Sequence, residues 1–147
     1  TSEAEAWVLI TRQIAGSKFE LESIEREQVR FKLENPGLYR FLQNRIRKLG
    51  GTARYERASE IVTVPLSTLA EALEEVSKLS ESEMPTEHLD DIKDGVKQTA
   101  ERIASTLGQE KLAALRGEKS RIAEALDVLA KIGGIASGIG AFLPGTT

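Results

Sequence analysis

Residues that could bind a polyanion are concentrated in one short stretch of the chain. Between residues 36 and 58 there are six arginines and lysines and one acid, Glu56, whereas residues 59–91 hold nine acids and a single base, Lys78. A formal net charge of −3 therefore conceals a strongly basic segment next to a strongly acidic one. A partner of opposite charge can recognise charge that is separated in this way.

The basic residues are interleaved with aromatic ones, as in proteins that bind single-stranded nucleic acid. On a helix predicted over 36–49, four polar residues at i, i+4, i+7 and i+8 share the face opposite the apolar stripe. Two arginines and a tyrosine follow on a predicted hairpin. Cations neutralise phosphates, and aromatic rings stack on unpaired bases. The predicted nucleic-acid-binding residues are Tyr39, Arg40, Asn44, Arg47, Lys48, Arg54, Tyr55 and Arg57.

A solvated helix face explains the same pattern without a ligand. In that interpretation the arginines pair with the many acids of the chain, and Phe41 belongs to the core. The acidic composition, with a pI near 5.4, argues against tight nonspecific DNA binding unless the basic face is segregated. Both interpretations are left open by the sequence.

The acidic segment contains side chains of the types that ligate metals. These are Glu81, Glu83, Glu87, His88, Asp90, Asp91 and Asp94. Acids in a first helical turn are, however, favoured by the helix dipole, and a hard cation needs oxygens that converge from more than one element. We therefore predict no metal and no other cofactor.

Motifs for catalysis are missing from the sequence. It has no Walker loop, no G-x-G-x-x-G after a strand and no G-x-S-x-G elbow, and it contains no cysteine. A serine triad would need His88, the one histidine, in the acidic region. The sequence predicts a protein that is not an enzyme.

The elements that precede the basic stretch are ambiguous. For residues 2–15 a capping box of Ser2 and Glu5 favours a helix, but the run Trp7–Thr11 suits a buried strand, which we prefer. Alternation at both ends of 18–34 predicts a hairpin, with one helix as the alternative.

Local signals are clearer from residue 35 onward. Asn35 and Pro36 begin a helix that ends at two glycines, 50 and 51. Two short strands, 52–57 and 60–64, follow. Thr68 and Glu71 then form a capping box for a further helix.

Beyond the predicted linker, all local signals in the sequence are helical. Residues 80–85 are a predicted linker, after which Thr86 begins a helix closed by Gly108. Another helical stretch covers 110–132, with a break or bend at Gly117. The tail 133–140 is rich in glycine, and such small residues allow close approach of a partner helix.

We predict an α+β fold with a small antiparallel sheet and two helices in residues 1–80, followed by a helical hairpin or coiled coil in 86–143 that forms a homo-oligomer. No apolar run is long enough to span a bilayer, and no signal-peptide pattern is present, so a cytoplasmic location is expected. The leading functional hypothesis is a non-enzymatic protein that binds single-stranded DNA or RNA.

Two alternatives to that function stay open. The first is a structural or adaptor protein that assembles through its C-terminal helices and glycine-rich tail, with its basic and acidic surfaces pairing between subunits. The helical residues of that assembly would be Leu89, Ile92, Val96 and Ile103. The second is peripheral membrane binding by the tail, which is weakened by the lack of an accompanying cationic face.

Overall fold

The computed structural model describes residues 2–17, 20–23, 27–79, 85–116 and 121–135. In these ranges the elements, in chain order, are α1 (Glu3–Gly16), β1 (Glu20–Ser23), β2 (Gln28–Lys32), α2 (Pro36–Lys48), β3 (Arg54–Glu56), β4 (Ile61–Pro65), α3 (Leu66–Ser77), α4 (Thr86–Arg116) and α5 (Arg121–Ile132). Residues 80–84 of the predicted linker, the predicted break at Gly117 and the tail beyond Ile135 lie outside the described residues.

The four strands form one antiparallel sheet in the order β1-β2-β4-β3. This confirms the α+β fold, the hairpin of 18–34 and the two short strands that follow α2. Val29 lies opposite Val64 and Phe31 opposite Val62, and all four side chains are buried. Successive side chains of a strand point to opposite faces, so one face of the sheet packs on the core while the other carries charged residues.

The strand predicted within residues 2–15 is wrong, because these residues form helix α1. Ser2 caps this helix by accepting a hydrogen bond from the Glu5 amide at 3.2 Å. Thr11, a β-branched residue in the misleading run, is accommodated because its hydroxyl donates back to the carbonyls of Trp7 and Val8, both at 3.0 Å.

Helix α2 follows the predicted boundaries. The Asn35 side chain accepts a hydrogen bond from the Gly37 amide at 2.9 Å, and Pro36 occupies the first turn. Gly50 ends the helix with a φ of 79°, a value that glycine adopts without strain.

The predicted capping box of Thr68 and Glu71 is wrong, because α3 begins two residues earlier, at Leu66. No local side chain caps this helix. The Leu66 amide instead donates to the carbonyl of Glu27 at 2.8 Å, and the Ser67 hydroxyl donates to the buried Glu27 carboxylate. A residue distant in sequence therefore sets the start of the helix.

Helices α4 and α5 pack on the elements of the first half. Helix α4 lies against α1 and α5, and α5 also lies against α3. One hydrophobic cluster contains residues of all five helices and of the sheet. The backbone at Gly108 is not helical (φ 79°, ψ 162°), and helical structure resumes beyond it to Arg116. A coiled-coil extension is not confirmed, and the division into two modules stays a prediction.

The apolar stripe that we assigned to oligomerisation is largely buried within the chain. Ile92, Val96 and Ile103 are at most 1% exposed, and Leu89 is partly buried. Across the described ranges, no helix is long and apolar enough to cross a membrane.

Candidate nucleic-acid interface

Helix α2 has a buried face and a solvated face, as its sequence predicts. Leu38, Leu42 and Ile46 are buried in the core. The opposite face presents Arg40, Asn44, Arg47 and Lys48, all exposed. The helix therefore displays the four polar residues predicted for it along one side.

Among the residues that the structure describes, one cation of the basic segment joins separate elements of the fold. Arg45 is 15% exposed and contacts Glu3 at 3.0 Å and Glu75 at 3.7 Å, which links α2 to α1 and α3. The remaining cations make no ion pair with any residue that the structure describes; they are Arg40, Arg47, Lys48, Arg54 and Arg57. Over the described ranges, pairing with internal acids does not account for this basic surface.

Two tyrosines join the edge of the sheet to α2. The rings of Tyr39 and Tyr55 stack with centroids 4.6 Å apart and an interplanar angle of 16°. The Tyr39 hydroxyl donates to the Ala53 carbonyl at 3.0 Å, and the Tyr55 hydroxyl donates to the Leu33 carbonyl at 3.1 Å. Tyr39 is only 9% exposed, so its ring serves packing before any contact with a base. The pair fixes β3, and with it the two arginines of the hairpin, beside the first half of α2.

Arginines lie close enough to both tyrosines to affect their hydroxyl groups. Burial raises the pKa of Tyr39, and the positive charge of Arg47 opposes that rise. Burial, followed by the negative charge of Glu60, raises the pKa of Tyr55, and Arg57 acts in the opposite direction. The tyrosine pair is thus flanked by arginines from two elements.

A surface pocket of about 440 Å³ brings part of the predicted site together. Arg40 from α2 and Arg57 from the β3–β4 turn both line it, as do the two tyrosines. Its complete lining is Pro36, Gly37, Tyr39, Arg40, Gln43, Ala53, Tyr55 and Arg57. Asn44, Arg47 and Lys48 do not line the pocket and lie elsewhere on the exposed surface of α2.

Arg54 lies on the open face of the sheet, where its backbone pairs with Thr63. There it lines a second depression, also of about 440 Å³, together with Arg30 and Glu56. Tyr55 lines both depressions. Because successive side chains of a strand point to opposite faces, Arg54 lies on the face of β3 opposite to the one from which Tyr55 contacts α2.

The sequence interpretation missed Gln43 as a lining residue of the first pocket. The signal was available, since Gln43 follows Tyr39 by four residues and Arg40 by three. Such spacings place side chains next to one another on a helix.

The acidic residues do not form a metal site in the described part of the chain, where no group of three potential ligands is present. Asp91 contacts Arg12 at 3.3 Å, and Asp94 accepts a hydrogen bond from Gln98 at 3.0 Å. Glu81 and Glu83 lie outside the described residues. Comparisons of the chain with models of protein families, with curated proteins and with solved structures gave no match.

Proposed function

We propose that the protein is a non-enzymatic nucleic-acid-binding protein that holds single-stranded DNA or RNA on the exposed face of α2 and the adjoining β3–β4 hairpin. The observation that carries this proposal is the set of five exposed cations on these elements that form no ion pair with any described residue. Like charges held together repel one another, and a polyanion relieves the repulsion while it releases its own counterions.

The shape of the surface supports a single strand over a duplex. Arg40 and Arg57 line a pocket, which an unpaired nucleotide can enter. In a duplex the bases are stacked and paired, so only the outward phosphates could reach these guanidinium groups. The exposed cations outside the pocket, Arg47 and Lys48, can contact neighbouring phosphates of the same strand.

Fluorescence anisotropy with a labelled oligonucleotide, titrated at several salt concentrations, tests the proposal. If all five cations contact phosphates, the logarithm of the binding constant should fall with the logarithm of salt with a slope of about −3.5 for a single strand. Arg47→Gln should reduce the magnitude of that slope by about 0.7.

Arg12→Gln provides the matched control, because it removes the same charge from an exposed side chain of α1 outside the proposed surface. Binding that ignores salt, or an equal loss in the two variants, would contradict the proposal. A duplex bound as tightly as the single strand would show that the assigned form of nucleic acid is wrong.

Assembly into a homo-oligomer and a cytoplasmic location stay predictions. Because the apolar stripe of α4 is buried within the chain, we expect assembly to depend on the residues beyond Ile135. Light scattering of the chain truncated after Ile135 tests this, and an unchanged oligomer would exclude the tail from the contact.

A further inference from the structure

We propose that the pocket between Arg40 and Arg57 binds a phosphomonoester at the end of a nucleic-acid strand. The proposal rests on the proposed function and adds the recognition of strand ends to it. Its basis is the lining of one pocket, whose composition differs from that of the surrounding basic surface.

The lining of the pocket contains two cations and no acid. Neither guanidinium group forms an ion pair within the described residues. Outside the lining, the negative charge of Glu60 acts on the Tyr55 hydroxyl. Its carboxylate accepts a hydrogen bond from the Asn35 amide at 3.3 Å. The pocket therefore favours a ligand that carries more than one negative charge.

The side-chain donors that remain available in the pocket belong to three residues. Both tyrosine hydroxyls already donate to backbone carbonyls, and the Gly37 amide donates to Asn35. This leaves the guanidinium groups of Arg40 and Arg57 and the amide of Gln43. Guanidinium groups bind phosphate oxygens through paired hydrogen bonds. A phosphomonoester carries about −1.5 to −2 charges at neutral pH and presents three acceptor oxygens, whereas an internal phosphodiester carries a single charge.

The size of the pocket suits one terminal group. Its volume of about 440 Å³ lies in the range of small-molecule sites, about 300–1,000 Å³. The other α2 cations, Arg47 and Lys48, lie outside it on the exposed helix face. A strand can therefore place its terminal phosphate between Arg40 and Arg57 and extend its internal phosphates along α2.

The test uses the full chain and oligonucleotides of one sequence with three kinds of end: a 5′-phosphate, a 3′-phosphate, or hydroxyls at both ends. We expect one of the phosphorylated strands to bind about tenfold more tightly than the hydroxyl strand, as charge-assisted hydrogen bonds to an added charge imply. A free nucleoside monophosphate is the fourth probe. It should compete for the phosphorylated strand, and more weakly than an unlabelled copy of that strand.

Variants assign the preference to the pocket. Arg40→Gln and Arg57→Gln should each abolish the difference between phosphorylated and hydroxyl strands, while Arg47→Gln should weaken binding of all three strands by the same factor. Both pocket arginines are exposed, so their replacement should leave the thermal unfolding midpoint unchanged.

The outcomes separate the two proposals. Equal, salt-dependent binding of all three strands would overturn end recognition and leave nucleic-acid binding standing. Binding of the free monophosphate without any binding of strands would overturn both. An end preference that survives in both pocket variants would show that the end binds elsewhere, which also overturns the proposal.

Discussion

Gly95→Ala should destabilise the fold although it replaces a glycine inside a helix. Gly95 is buried in α4 where that helix crosses α1. A Cβ atom at this position would lie 2.9 Å from the Thr11 Cβ, 3.0 Å from its Oγ1 and 3.3 Å from its carbonyl carbon. Thr11 cannot move aside cheaply, because it is 1% exposed and its hydroxyl is bonded to two carbonyls of its own helix.

Two opposing terms set the size of the effect. An alanine in a helix interior is favoured over glycine by about 1 kcal/mol. Overpacking a close helix contact costs about 1–3 kcal/mol. The upper half of that range applies because the added Cβ atom contacts the backbone of Thr11 as well as its side chain. We therefore expect a net loss of about 1–2 kcal/mol, or a fall in Tm of about 3–6 °C for a chain of this length.

Urea unfolding followed by circular dichroism measures the change, with Gly16→Ala as the control. Gly16 ends α1, and an added Cβ there meets nothing within 4 Å, so this variant should be neutral or slightly stabilising. Adding Thr11→Gly removes both side-chain atoms that clash and leaves only the backbone contact at 3.3 Å, so Gly95→Ala should cost less in that background than in the natural chain. A stabilising Gly95→Ala in the natural chain, or additive effects in the double variant, would refute the close helix crossing.

Three further expectations concern the residues around the site. Tyr39→Phe should lower the free energy of unfolding by about 1 kcal/mol in urea because it leaves the Ala53 carbonyl without its donor. Burial raises the pKa of Tyr39 and of Tyr55 in the folded state. The contribution of the two hydroxyl groups to stability should therefore be complete below about pH 10 and be lost as the pH rises through the raised pKa values. Phenolate absorbance and urea unfolding at alkaline pH can follow this loss. Arg45→Gln should lower the free energy of unfolding in urea by about 1 kcal/mol, because Arg45 is 15% exposed and contacts two glutamates. Lys48→Gln should leave the urea midpoint unchanged, because Lys48 is exposed.

Helix α1 shows why a local pattern can indicate the wrong element. The helix is buried on most sides, so its apolar residues run almost continuously through Trp7–Thr11 and conceal the helical period. Its exposed positions do recur at helical spacing, at Glu5, Leu9, Arg12 and Gly16. Leu9 is 41% exposed, and this apolar residue on the solvated side made the run resemble a strand. The Ser2 cap was the more reliable signal.

The candidate site was predictable where helix geometry alone sets it. The exposed face of α2 follows from spacing, and the structure places its four polar residues as expected. The pairing of Tyr39 with Tyr55 was not predictable, because it depends on how the β3–β4 hairpin folds back on α2. The start of α3 was missed for the same reason, since its cap comes from Glu27 in another element.

The pairing of charges among the described residues supports the proposed nucleic-acid partner over a second copy of the chain. If basic and acidic segments paired between subunits, both should present free charge on continuous surfaces. In the described residues, three acids of the acidic segment already have cation partners: Glu74 contacts Lys78, Glu75 contacts Arg45 and Asp91 contacts Arg12. The described acids are also distributed over the β3–β4 turn and two helices, α3 and α4. Among the described residues, Arg45 is the one cation of the basic segment that forms an ion pair. The other cations of the segment lie exposed on α2 and the hairpin, where an extended polyanion can contact several of them.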